Sequence, residues 1–180
     1  RPTLFCAITA GNLDSMLSNY TAARRKRKED AYSEGGIPGK RPNMASVVYT
    51  QLARQAFPKL PTVLGGIEAS MRRTVHYDYW QDKLRSSILH DAKADILVYG
   101  MGERAICEIA RRLRSGQPLA GIPGTARLLG GNESASLDRS QAILLPSREA
   151  CLAEPRALNE LTRQTEREQN PFTGKTLIQF

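Results

Sequence analysis

Paired glycines and a carboxylate follow the apolar run Thr62-Val63-Leu64 in the string Gly65-Gly66-Ile67-Glu68. Glycine at a strand end lets a ligand or another backbone come close, and Glu68 at the same rim could bind a cation, a hydroxyl or an arginine. On that reading Glu68→Gln changes stability by no more than about 1 kcal/mol, as for a site outside the core. The competing reading is a structural turn. Gly100-Met101-Gly102-Glu103-Arg104-Ala105 fits G-x-G-x-x-A, the pattern by which a backbone approaches a pyrophosphate. That fingerprint belongs on the opening strand of its fold, however, and Glu103 would aim negative charge at a phosphate. Tight turns at strand ends explain it better, and a nucleotide-binding enzyme domain stays an alternative resting on this string alone. Two look-alikes of a phosphate loop fail on spacing. Gly174-Lys175-Thr176 would need glycine where Gln169 stands, and Gly39-Lys40 runs into Arg41.

His76, Asp78, His90 and Asp91 could form an acid–base or metal cluster, but the two histidines lack the spacing that puts a ligand pair on one helix face. They read as polar residues fixing an irregular segment. Cys6, Cys107 and Cys151 are far apart and odd in number, which points to a reduced, cytoplasmic protein. A cluster-binding C-x-x-x-C-x-x-C is absent from the sequence, so no metal or catalytic residue is assigned to this chain. Asn132-Glu133-Ser134 matches a glycosylation sequon that would be idle in the cytoplasm.

Of the net charge of +8, five positive charges come from the contiguous block Arg24-Arg25-Lys26-Arg27-Lys28. The block reads as a solvated loop or a docking surface, with a nucleic-acid-binding module using it as the alternative. A chain of 180 residues, 41% hydrophobic and 24% charged, suits one soluble domain over 1–180. No apolar run approaches the roughly 20 residues of a membrane helix. The sequence opens on Arg1-Pro2 and becomes strand-like at Thr3, as if cut from something longer.

The elements that must position these residues follow from periodicity. Thr3 to Thr9, Thr62 to Leu64 and Asp95 to Tyr99 read as short buried strands, each stopped by glycine-containing turns. Residues 20–42 lose apolar periodicity and form a long basic loop. Asn43 is placed to cap a helix carrying Met44, Val48, Leu52 and Ala56. Residues 67–93 read as short helical turns, Tyr77-Asp78-Tyr79-Trp80 included. Ile106, Ile109, Ala110 and Leu113 paint one stripe of a helix with Glu103 in its first turn, arginines in its last and Gly116 as its stop. Ala126 to Leu129 and Ala142 to Leu145 could pair as strands around a polar segment. A helical C-terminal segment at about 147–169 starts from a Ser147 cap, with Pro155 opening its longer helix. This order predicts an α/β, Rossmann-like, doubly wound and mostly parallel sheet, with a first β–α unit open to being absent. Gly11, Asn12, Gly65, Gly66, Glu68, Gly102 and Glu103 would then share the rim at the strand ends.

The string Thr62 to Arg73 followed by His76-Tyr77-Asp78-Tyr79-Trp80 resembles a signature of YgiQ-family radical S-adenosylmethionine (SAM) proteins. Thr9-Ala10-Gly11-Asn12-Leu13-Asp14-Ser15-Met16, Asp30-Ala31-Tyr32, Gly39-Lys40-Arg41-Pro42, Asp91-Ala92-Lys93-Ala94-Asp95, Leu145-Pro146-Ser147 and Asn170-Pro171 are similar to family segments in the same order. The resemblance implies a cobalamin-binding-like front domain, non-catalytic alone, whose partner is a radical SAM barrel of the same polypeptide. It further implies that a [4Fe–4S] cluster and SAM are held by that barrel, with no cofactor in this chain. The D-x-H-x-x-G loop that ligates cobalt in related domains is absent from the sequence.

Overall fold

Short apolar runs alternate with amphipathic ones along the chain, and the computed structural model shows what they become for residues 2–135, 137–170 and 173–180. Arg1 and Pro171, named above, lie outside the described residues. In chain order the elements are β1 (Cys6–Thr9), α1 (Ser15–Asn19), α2 (Ala45–Ala56), β2 (Thr62–Gly65), α3 (Gly66–Met71), β3 (His76–Asp78), β4 (Lys83–Arg85) and α4 (Ile88–Ala92). They continue as β5 (Ile96–Val98), α5 (Glu103–Arg114), β6 (Thr125–Ala126), α6 (Gly131–Ala135), β7 (Ala142–Leu145), α7 (Arg148–Ala153), α8 (Pro155–Arg167) and β8 (Thr176–Gln179). Two compact units result, residues 1–73 with 88–128 and residues 74–87 with 129–180. Among the described residues no helix is long and apolar enough to cross a membrane.

The first unit is built on a sheet of order β1-β2-β5-β6. β1 and β2 pair in parallel, as do β2 and β5, whereas β6 joins β5 antiparallel. Side chains alternate across a strand, so each face collects its own core. Cys6, Ile8, Leu64 and Leu97 face one cluster with Ile88, Leu89 and Ala92 of α4, while Val63, Ile96 and Val98 face Ala105 and Ile109 of α5. Helices cover both faces of a mostly parallel sheet, the Rossmann-like class that the patterning predicts. Asp95 fixes the opposite end of the sheet, where its Oδ2 accepts from the N–H and hydroxyl of Thr62 at 2.8 and 2.7 Å.

The second unit pairs β3 with β4 as an antiparallel hairpin and β7 with β8 in parallel. Its core is Val75, Cys151 and Leu161, flanked by Leu84, Ala157 and Leu158. Ser147 caps α7 by accepting from Ala150 N–H, and Pro155 opens α8.

Three local expectations are corrected. The strands at Thr125–Ala126 and Ala142–Leu145 do not pair with each other, since β6 completes the first sheet and β7 takes β8. Residues 67–93 are not helical turns throughout, because His76–Asp78 and Lys83–Arg85 form a hairpin whose turn Asp78 closes by accepting from Trp80 and Gln81 N–H. Such a carboxylate-closed turn competes with helix at short range. Asn43 is not the cap of α2. Met44 holds that position in the left-handed region (φ 52°), and Asn43 bonds Tyr20 and Asn19 instead.

Candidate functional site

Where β1, β2 and β5 end, the sheet opens into a cleft of about 350 Å³ lined by Ala7, Thr9, Gly65, Gly66, Gly102 and Glu103, among others. Two of its glycines are required by close packing inside the fold. Gly66 sits at φ +83°, and a Cβ there would lie 2.3 Å from Thr9 Oγ1 and 3.8 Å from the Gly11 carbonyl. A Cβ on Gly102 would lie 2.7 Å from Val98 Cγ1. The sequence reading offered these glycines to a ligand, but Thr9 and Val98 are what approach them. Gly65 is extended and meets only ordinary contacts. Gly11 (φ +99°) and Asn12 are exposed in the turn after β1, and Glu103 is exposed in the first turn of α5. Around the same strand ends, Ile67, Met71 and Met101 are 46%, 60% and 87% exposed.

Glu68 is the exception to the predicted rim. It has no exposed surface and lies inside the first unit. Its Oε2 accepts from Ser15 N–H at 2.8 Å and its Oε1 from Ser46 N–H at 2.8 Å. Those donors belong to the first turns of α1 and α2, so one carboxylate joins two helix N-termini, where negative charge is favoured. Ser15 Oγ takes the Ala45 N–H at 3.1 Å, which completes the start of α2. This explains why Asn43 has no capping work there: the cap of α2 comes from residues remote in sequence. Beside Glu68, buried Asp14 caps α1 through Met16 and Leu17 N–H and pairs with Arg72. Arg72 also donates to the Glu68 carbonyl at 3.3 Å.

The basic loop is tied to the same region. Arg41 Nη1 donates to the Ala10 carbonyl at 3.1 Å, and its other Nη lies 3.8 Å from Asp30 Oδ2, with both side chains nearly buried. The Ser33 hydroxyl, the Tyr32 N–H and the Arg41 charge hold the Asp30 carboxyl below its usual range against the opposing effect of burial. The strings around Asp14, Asp30, Arg41 and Arg72 are among those that carry the resemblance. Here they form two ion pairs largely withdrawn from solvent, Asp14 with Arg72 and Asp30 with Arg41. Asp14, Asp30, Arg41 and Arg72 were not picked out by the site reading. Their signal was charge within strings lacking the regular alternation of a solvated face.

Cys6 is buried on β1, Cys107 is exposed on α5 and Cys151 is buried on α7, where burial pushes its thiol pKa up. His76 lies on β3, with Nδ1 3.1 Å from the Thr74 carbonyl, and His90 lies on α4. Among the described residues, no group of three His, Cys, Asp or Glu is placed to hold a metal ion. The three cysteines sit on three separate elements rather than on one cluster loop.

Comparison with known proteins adds the wider context. The family described as "Radical SAM N-terminal" matches residues 1–180. A UPF0313 protein of Geobacter sulfurreducens is 48% identical over 182 residues, covering 99% of this chain and 30% of that protein. One from Bradyrhizobium diazoefficiens is 42% identical over 198 residues, covering 99% of this chain and 29% of its own. One from Shewanella oneidensis is 57% identical over 122 residues, covering 68% of this chain and 16% of that protein. The chain thus spans less than a third of the length of these relatives. No solved structure matches it.

Proposed function

Because the chain belongs to the radical SAM N-terminal family, we propose that it is the front accessory domain of a UPF0313-type radical SAM protein and docks by its strand-end rim onto the catalytic part of the same polypeptide. The observation that carries this reading is the family match over residues 1–180. The relatives' greater length leaves room for that catalytic part. The domain does no chemistry alone. Its partner holds the [4Fe–4S] cluster and SAM, which together supply the radical chemistry. Within the family we assign the chain to the YgiQ type, on the strings from Thr62 to Trp80, with a cobalamin-binding-like architecture and a cytoplasmic location.

The rim suits docking for a physical reason. Parallel sheets gather functional loops beyond the carboxyl ends of their strands. Here the exposed Met101, Ile67 and Met71 offer apolar surface at those ends, and the framework of Glu68, Asp14 and Arg72 holds the loops rigid behind it. Met101→Asp is therefore expected to leave the 180-residue chain within about 0.5 kcal/mol of its original stability, as for a surface change. Hydrogen exchange compares the isolated chain with the full-length Geobacter relative. Amides at 65–68 and 100–104, and their counterparts in the relative, should be slower in the longer protein, with that protection reduced by an aspartate in place of the Met101 counterpart. Equal exchange of these amides in both proteins overturns the docking assignment.

A further inference from the structure

The block Arg24–Lys28 forms an ordered hairpin. Tyr20 and Lys26 form an antiparallel bridge, Thr21 N–H donates to the Arg25 carbonyl at 2.8 Å, and Arg27 N–H donates to the Asn19 carbonyl at 2.9 Å. Arg24 turns the tip in the left-handed region, at φ 58°. Arg27 is spent on structure: its Nε donates to the Leu17 and Tyr20 carbonyls at 2.9 and 3.1 Å, which anchors the hairpin to the end of α1. Arg25, Lys26 and Lys28 are exposed, and none of the described ion pairs uses them.

These cations border a groove of about 810 Å³. Across from them, Gly35 and Gly36 contribute backbone without side chains, and Glu29 is the one carboxylate among the described lining residues. That wall is fixed as well. Asp30 N–H donates to the Gly36 carbonyl at 3.0 Å, and the Asp30 carboxylate is tethered through Arg41 to the turn after β1. Tyr32, next to the Ala31 that lines the groove, is 54% exposed, and its N–H is held by Asp30 Oδ1 at 3.0 Å. Uncommitted cations, a groove and an exposed aromatic residue adjoining the lining Ala31 in sequence thus occur together on one hydrogen-bonded loop.

We propose that this groove binds single-stranded nucleic acid, with Arg25, Lys26 and Lys28 on its phosphates and Tyr32 as a stacking face. Cationic grooves with a neighbouring aromatic are how sequence-tolerant single-strand binders work, because every base has a face to stack. An acidic peptide would be better served by several paired arginines able to grip carboxylates with two bonds each, and here one uncommitted arginine stands with two lysines. A membrane surface would call for an amphipathic face, and Ile37 is the lone large apolar side chain exposed on the loop beside Tyr32. The proposal stands on this groove alone and is independent of the docking rim.

Fluorescence anisotropy of a labelled oligouridylate of about 20 nucleotides, titrated with the 180-residue chain between about 50 and 200 mM KCl, tests it. Saturable binding is expected, with log K falling against log salt at a slope of about −2, the value for three neutralised phosphates on a single strand. The triple variant Arg25→Ala, Lys26→Ala, Lys28→Ala should lose at least about tenfold in affinity at the lowest salt, with an unchanged thermal melt. Tyr32→Ala should weaken the oligonucleotide by about fivefold or more while leaving heparin binding as it was. Three results overturn the proposal. They are no saturable binding, equal binding of oligouridylate, heparin and polyglutamate with no effect of Tyr32→Ala, and tighter association with phosphatidylserine vesicles than with the oligonucleotide.

Discussion

A carboxylate that accepts from two backbone N–H groups in an interior has no neutral equivalent. The Glu68 oxygens each take one such bond, from Ser15 and from Ser46. In Glu68→Gln one oxygen becomes an amide NH2, a donor facing a donor, and one helix N-terminus loses its partner where water cannot replace it. The substitution is therefore expected to cost the 180-residue chain about 2–3 kcal/mol, the range for a lost charge-assisted bond and a stranded buried donor. That outcome is the reverse of the sequence expectation, which kept the loss within about 1 kcal/mol for a residue outside the core. Chemical denaturation of both proteins decides between them. A change in midpoint with an unchanged slope would locate the effect in the native interior. An unchanged midpoint would mean that Glu68 is not the link between α1 and α2.

At the scale of elements, the start of α3 depends on one close approach. Gly66 follows β2 directly, at a positive φ, with Thr9 of β1 against the place a Cβ would occupy. Gly66→Ala meets two separate penalties, the left-handed backbone and the Thr9 Oγ1 clash. A loss of about 2–4 kcal/mol is expected, at the upper end for a single backbone-strain mutant. Thr9→Ala in the same chain should recover part of it, because it removes the clash and leaves the strain. A double-mutant cycle on thermal melts separates the two, and strict additivity would refute the contact. The same neighbourhood shows what patterning could and could not reveal. α5 was legible end to end, because its stripe of Ile106, Ile109 and Leu113, its Glu103 start and its Gly116 stop are all local signals. So were the three parallel strands, although β1 starts at Cys6 rather than Thr3 and buries Cys6 and Ile8 while Ala7 and Thr9 stay exposed, whereas β2 and β5 are buried on both faces. The cap of α2 was not legible, since Glu68 and Ser15 reach Ser46 and Ala45 from 22 and 30 residues away. The pairing of β6 and β7 was equally hidden, because two-to-four-residue strands carry no partner information. At the site, the sequence reading named the glycines that follow the strands, but the neighbours of Gly66 and Gly102, Thr9 and Val98, depend on tertiary packing that no local pattern carries. Glu68, expected at the rim, is instead turned inward to Ser15 and Ser46 N–H, partners 53 and 22 residues away in sequence.

The whole molecule has its cysteines in places that suit packing more than ligation. Cys6 belongs to the sheet core and Cys151 to the core of the second unit, while Cys107 stands exposed on α5. A cluster needs several thiolates converging on one point, and burial opposes ionisation of the Cys151 thiol. If the catalytic cofactors reside in the remainder of the longer protein, iron chemistry should divide along the polypeptide. Anaerobic reconstitution with ferrous iron and sulfide is expected to leave the 180-residue chain colourless, with iron removed completely by desalting. The full-length Geobacter relative, treated identically, should retain stoichiometric iron and a visible charge-transfer band. Thermal melts of the chain before and after treatment should coincide, because a bound structural metal would raise stability by mass action. A stoichiometric visible band on the chain itself, lost in Cys107→Ser, would place ligation in this domain. A colourless full-length relative would remove the radical SAM reading of the longer protein and leave the fold of the chain unaffected.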